Sequence, residues 1–308
     1  MHIITKYRIH LSLIILAILC GVAVWLLEPH FEKKFSPNAM NEDISAGLQK
    51  EIIENFAAHK ALYEIKLSST RSGSQIANIS GEMYYEWKSS CDGWLSDHRF
   101  NMLYEYADSP SMRITSNFST HEYLDGSRLD FSSQRKNNGT LFENIRGYAE
   151  KGRATYSEPL GLSYELPADT MFPVYHTAAV LRQIRSGNKF FTTTIFDGSD
   201  TEGPIEASSF LIGDADITGL YEENKAIDQA LLKSAAHNVR LAFFALNETQ
   251  EQQSSSDYEM DLVFHENGII SKMSIDYDDF SITQNLIALE KIETPCAEAP
   301  VEQVTYEN

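Results

Sequence analysis

A chain of 308 residues with 43% apolar and 22% charged residues has the material for one large domain or two small ones. Its formal net charge is −19, which sets aside nucleic acid and anionic lipid surfaces as partners, since binding phosphate needs clustered Lys and Arg. The acidic residues are spread along the chain, as on a solvated surface.

Lys6 and Arg8 precede an uncharged run from Leu11 to Leu27. The run is near the lower limit of a membrane span and longer than a usual signal-peptide core. Basic residues in front of it keep the N-terminus in the cytoplasm and send the rest outward. Residues 1–28 are therefore read as a signal anchor that tethers the protein to the inner membrane, with Trp25 at the interface. Gly21 and Ala23, a small-x-small pair, leave a cleavable signal peptide as the alternative. Cys20 reads as a small apolar residue within the run. Residues 29–56 are polar and acidic. Ser45 can cap a short helix on which Leu48, Ile52, Ile53 and Phe56 recur at helical spacing, and the segment is expected to act as a stalk.

From Ala61 the pattern changes to short alternating segments: "ALYEIKLSS", "GEMYYEWKSS", "RFNMLYEYA", "MRITSNFSTHEYL", "SRLDFSSQRK", "LFENIRGYAEK" and "GLSYELP". In "NMLYEYA", Met102, Tyr104 and Tyr106 fall on one face and Asn101, Leu103 and Glu105 on the other. The turns between segments carry "DGS" and "NNGT", residues that accept positive φ. Alternation with short turns predicts an antiparallel meander, because parallel neighbours need long crossovers. "MFPVYHTAAVLRQIRSG" breaks the rhythm. Pro173 suits a helix start and Gly187 a helix end, and Val174, Ala178, Leu181 and Ile184 form one apolar stripe. This helix is expected to fill the concave side of the sheet. Strands return with "KFFTTTIFDGSD" and "IEASSFLIG". "EENKAIDQALLKSAAH" then reads as an inserted helix, before "VRLAFFALNE", "YEMDLVFHENG", "IISKMSIDYDD" and "FSITQNLIALEKIE".

Chemistry-bearing patterns are sparse. There is no G-x-S-x-G elbow, phosphate-binding glycine loop or C-x-x-C. His59, His98, His121, His176, His237 and His265 share no ligand spacing, so a metal site would have to be assembled in three dimensions. Asp214, Asp216 and Gly219 fit the start of a calcium loop, but its twelfth position is Lys225, which opposes a cation. Asp197 and Asp200 in "FDGSD" could work as an acid–base pair; the same four residues also make Asx turns, and the structural reading is preferred. No catalytic residue, cofactor or metal is assigned. In an exported domain two cysteines pair more readily than they stay free, so Cys91 and Cys296 are expected to form a disulfide tying an early strand to the last, at a sheet edge. Buried free thiols or a reactive thiol are the alternatives.

"AAHKALYEIKL", "GEMYYEWKSSCDGW", "ELPADTMFPVYHTAAVLRQIRSG", "FDGSD" and the terminal "TPC", in this order, resemble the EipB family of Gram-negative periplasmic envelope proteins. The most specific parts are Leu166-Pro167, Phe172-Pro173, His176, "FDGSD" and the two cysteines. The resemblance implies an all-β fold: a long antiparallel sheet curled into an open β-spiral or half-barrel around a short helix and closed by one disulfide, Cys91 to Cys296. It also implies a role in cell-envelope integrity with no established reaction. The expected organisation is a β-spiral domain over 57–298 and a C-terminal tail over 299–308. The expected location is the periplasm and the expected partners are other envelope proteins. A lipid acyl chain or other apolar ligand in the concavity is the alternative function. An enzyme using Asp197 and Asp200, or a cluster of the histidines, is a third reading. The segment from Tyr221 to about His237 departs from the family's path.

Overall fold

The computed structural model describes residues 49–246 and 256–293. The N-terminal run with Cys20, the Ser45 cap, residues 247–255, Cys296 and the tail 299–308 lie outside the described residues. Among the described residues no helix is long and apolar enough to cross a membrane.

Alternation of apolar and polar side chains drives the chain into strands. On β1 (His59–Thr70), His59, Ala61, Tyr63 and Ile65 are buried while Lys60, Leu62, Glu64 and Lys66 are more open. A meander follows through β2 (Ile76–Ser89), β3 (Gly93–Tyr106), β4 (Met112–Tyr123) and β5 (Arg128–Asn137). It continues through β6 (Thr140–Glu150), β7 (Arg153–Glu158) and β8 (Ser163–Glu165). Residues 49–54 are helical (α1), and a second helix, α2 (Pro173–Arg185), follows β8. The second meander is β9 (Phe190–Ile195), β10 (Ile205–Asp214), β11 (Ala236–Ala245), β12 (Tyr258–His265), β13 (Ile270–Asp276) and β14 (Phe280–Lys291). Every described pair of neighbouring strands is antiparallel, and β14 joins the two meanders by pairing with β1.

The result is one 14-stranded sheet, ordered β8-β7-β6-β5-β4-β3-β2-β1-β14-β13-β12-β11-β10-β9. Its two edges are β8 and β9, neighbours in sequence separated by α2. The antiparallel meander is what the alternation implied, and the sheet is open rather than a closed barrel, as the family resemblance implied. "RATYSE", which becomes β7, was not distinguished from the turns beside it.

α2 starts at Pro173, which needs no N–H partner there, and ends at Ser186 with Gly187 at φ +75°. It buries Ala178 and Leu181 completely against the inner face of the sheet. α1 adds Ile52 and Ile53 to the same cluster, and Phe56 just after it packs against Trp87 and Trp94 at ring separations of 4.8 and 5.9 Å. The Gln49 amide donates to the Tyr175 carbonyl, and Arg182 donates to Gln49 in return. The end of the expected stalk is therefore part of the core, because its apolar stripe finds a partner in α2 and β2.

The expected helix in "EENKAIDQALLKSAAH" does not form. The described structure is a set of turns with a single 3-10 turn at Leu231–Lys233. Side chains and strands take the backbone groups a helix would use. Asn224 and Asp228 accept the N–H groups of Ala226 and Ala230. Ile227 pairs with Leu289 beside β14, where the Leu289 N–H donates to Ala226 and the Asp228 N–H to Leu289.

Candidate functional site

The spiral's two edges meet at the start of α2. The Met171 N–H donates to Thr194 of β9 and the Phe196 N–H donates back to Met171. α2 has no capping side chain of its own and no acid in its first turn. Glu122 of β4 supplies the cap from across the sheet, accepting the N–H groups of Val174 at 2.7 Å and Tyr175 at 3.0 Å. Burial pushes its carboxyl up to about 8, while the two helix N–H groups pull it down. Glu122 was not singled out from the sequence. Its signal is parity: it shares a face with Thr120 and is opposite Trp94 on β3, so alternation alone turns it inward.

"FDGSD" closes the gap behind this cap. Phe196 is buried against Phe131 and Tyr156 in edge-to-face geometry. Gly198 sits at φ +72°, where an added Cβ would fall 2.2 Å from the Phe131 ring. Arg135 donates to the Ser199 carbonyl, Tyr156 to the Asp200 carbonyl and Tyr164 to the Thr201 carbonyl. The loop following one edge strand is thus clasped by side chains from β5, β7 and β8 near the other edge. The Asp197 and Asp200 carboxylates accept the N–H groups of Ser199 and Glu202 in Asx turns. Burial, then the neighbouring Asp197 charge, raises Asp200 to about 7.

The remaining candidates are dispersed. His59 is fully buried, its Nδ1 on the Ala57 carbonyl, and His98 lies between Tyr85 and Phe118. His176 is buried on α2, and His265 Nε2 meets Ser271 Oγ at 3.0 Å. His237 sits between Asp214 at 3.1 Å and Glu266 at 3.5 Å. His121 lies 3.4 Å from Asp92. Asp216 accepts the Thr218 N–H, so the supposed calcium loop turns upon itself. Among the described residues no three potential metal ligands converge. Cys91 occupies the exposed turn between β2 and β3 and is disulfide-bonded. That turn joins interior strands, so the bond is not at a sheet edge as expected; the edges are held by Glu122 and the "FDGSD" loop instead.

A groove of about 590 Å³ crosses the opposite, outer face from β2 to β7. Cross-strand partners share a face, and the register aligns Glu86, Asp97, Ser119, Ser132 and Arg146 in one row. Lys88, Leu95, His121, Asp130 and Tyr148 form the next. Twist makes a sheet saddle-shaped, which lets an outer face be hollow along one direction, and the short serines set the hollow's floor. Lys88 binds Glu86 at 2.7 Å, and Arg128 binds Asp130 at 2.6 Å while lying 4.4 Å over the Tyr148 ring. Lys88, then Tyr84, holds the Glu86 carboxyl below its usual range. Apart from His121, none of these residues stood out in the sequence, because a polar outer row looks the same whether or not it is hollow. Asp197 and Asp200 do not line this groove.

Comparison with known proteins agrees with this architecture. The family model described as EipB-like matches residues 50–293. The cell envelope integrity protein EipB of Brucella abortus (strain 2308) is 25% identical over 241 residues, covering 77% of this chain and 84% of the relative. A crystal structure of a β-barrel-like protein from a domain of unknown function of Brucella abortus superposes with a TM-score of 0.71 at 25% identity, covering 77% of this chain and 99% of that one. The match starts within α1, which accords with the packing of that helix into the core. The chain belongs to the EipB-like family.

Proposed function

We propose that this protein is a non-catalytic component of the periplasm that maintains cell-envelope integrity by binding other envelope components. The observation that carries the reading is the extended likeness to a relative named for envelope integrity, over the whole spiral and its clasp. The site geometry favours binding over chemistry. The Asp197 and Asp200 carboxylates are occupied by their own loop, and the accessible hollow is lined by side chains that are largely paired with one another. The concave side is filled by α2 and its cluster, so an acyl chain there would have to displace the helix.

Cys91 and Cys296 form the protein's disulfide in this reading. Lys291, His59 and Trp87 are adjacent across β14, β1 and β2, so Cys91 follows the end of β2 on the side of the sheet where β14 finishes. The run from Leu11 to Leu27 exports or anchors the domain on the periplasmic side of the inner membrane. Deleting the gene tests the function: the strain is expected to gain sensitivity to detergent and wall-targeting antibiotics. Unchanged sensitivity would sink the proposal.

A further inference from the structure

We infer that the outer groove is a binding site for a short acidic saccharide. The inference deepens the reading of the domain as an envelope-binding module and rests on it.

The size comes first. A hollow of about 590 Å³ lies within the ~300–1,000 Å³ of ordinary ligand sites. Its direction is informative. It runs across the strands, so equivalent side chains repeat at about 4.8 Å, close to the rise of one unit in an extended pyranoside chain.

The floor decides between a peptide and a sugar. Along the groove β3, β4, β5 and β6 are paired with one another in ladders. Their backbone groups are therefore committed, and the floor offers side chains. An extended peptide is normally recognised through free main-chain groups at a sheet edge, which this site lacks. A saccharide needs no such groups, because its hydroxyls both donate and accept.

The side chains available match that need. Ser119 and Ser132 each present a hydroxyl that can donate and accept. Glu86, Asp97 and Asp130 are each neutralised by a protein cation, Lys88, Arg99 and Arg128. Their remaining lone pairs can still accept ligand hydroxyls, without the repulsion that three unpaired carboxylates would direct at an anion. Tyr148 adds an aromatic ring whose orientation is fixed by Arg128.

The acidic character of the ligand follows from Arg146. It lies in the serine row at the β6 end, is exposed, and has no ion pair among the described residues. Its cross-strand neighbour on β7 is Glu158, which accepts from Asn144. A guanidinium is suited to a planar carboxylate or a phosphate. The ligand therefore lays its hydroxyls over the serines and places one anionic group at the β6 end.

Titration of the full-length chain in mild detergent, followed by calorimetry, tests this. The probes are trigalacturonic acid, neutral maltotriose and inorganic phosphate, which separate an acidic sugar from a sugar alone and from an anion alone. Trigalacturonic acid is expected to bind saturably, and at least about tenfold more weakly to Arg146→Ala. Ser132→Trp, which fills the floor, is expected to abolish binding, while Lys66→Ala on β1 leaves it unchanged. No binding of trigalacturonic acid overturns the inference. So does equal binding of maltotriose, full competition by phosphate, or indifference to both groove substitutions. If Ser132→Trp does not fold, Arg146→Ala and the maltotriose comparison decide. A failed titration alongside normal rescue of a deletion strain by the wild-type copy overturns the groove inference alone and leaves the envelope role standing.

Discussion

Glu122 holds α2 from a strand on the far side of the spiral. Its replacement by alanine leaves one buried and one partly buried N–H group of the first helical turn without acceptors. We expect a loss of about 2–4 kcal/mol, read from urea denaturation. The same side chain shapes the pH profile. His59, His98, His176 and His265 are each lowered to about 4 by burial. Unfolded, they take up protons from about pH 6.5 downward, so their contribution is lost as pH falls through that window. Glu122 and Asp200 are raised, to about 8 and about 7. Their protonated forms are favoured by folding, so stability is lost as pH rises from the unfolded carboxyl range through those values. Stability should therefore peak near about pH 6–7. Glu122→Gln, which cannot ionise, should flatten the alkaline decline; an unchanged decline would contradict the assignment. Gly198 is a second pivotal residue. Gly198→Ala should cost about 2–4 kcal/mol, because it combines a left-handed backbone with a collision on Phe131. Adding Phe131→Ala should make the double variant less unstable than the two single losses combined; strict additivity would show that the contact is not the cause.

The strands and helices differ in how each is held. β1 is paired with β14 from His59 to Thr70 and with β2 from His59 to Lys66, whereas β8 and β9 are short edges. Hydrogen exchange should be slowest in β1, β2 and β14 and fastest in β8 and β9; uniform protection would argue against an open spiral. The elements that local pattern could reveal were those whose alternation or helical stripe persists, such as β3 with Met102 and Tyr104, or α2 between Pro173 and Gly187. What local pattern could not reveal was decided by remote partners. Ile52 and Phe56 have the stripe of a surface helix, and only α2 and Trp87 make it a core element. Ile227, Leu231 and Leu232 have helical spacing, yet β14 takes their backbone. "FDGSD" reads as a turn in sequence, and its role as a clasp depends on Phe131, Arg135, Tyr156 and Tyr164, none of them nearby in the chain. Ser119, Ser132 and Arg146 meet only through strand register.

At the scale of the molecule, the sheet's ends are closed by polar and aromatic contacts, while the disulfide-bonded Cys91 lies in the turn between the interior strands β2 and β3. Non-reduced peptide mapping should recover Cys91 linked to Cys296. Cys91→Ala should lower stability by up to about 5 kcal/mol, the chain-entropy value for so long a loop. The loss should come without opening the clasp, since β14 stays paired to both β1 and β13. The central claim is that this assembly serves the envelope by binding. It is tested most directly by plating a strain lacking the gene on detergent and on wall-targeting antibiotics, with and without a plasmid copy. The account predicts hypersensitivity that the wild-type copy reverses and the Gly198→Ala copy reverses poorly. A deletion strain that plates like its parent under both stresses would contradict it.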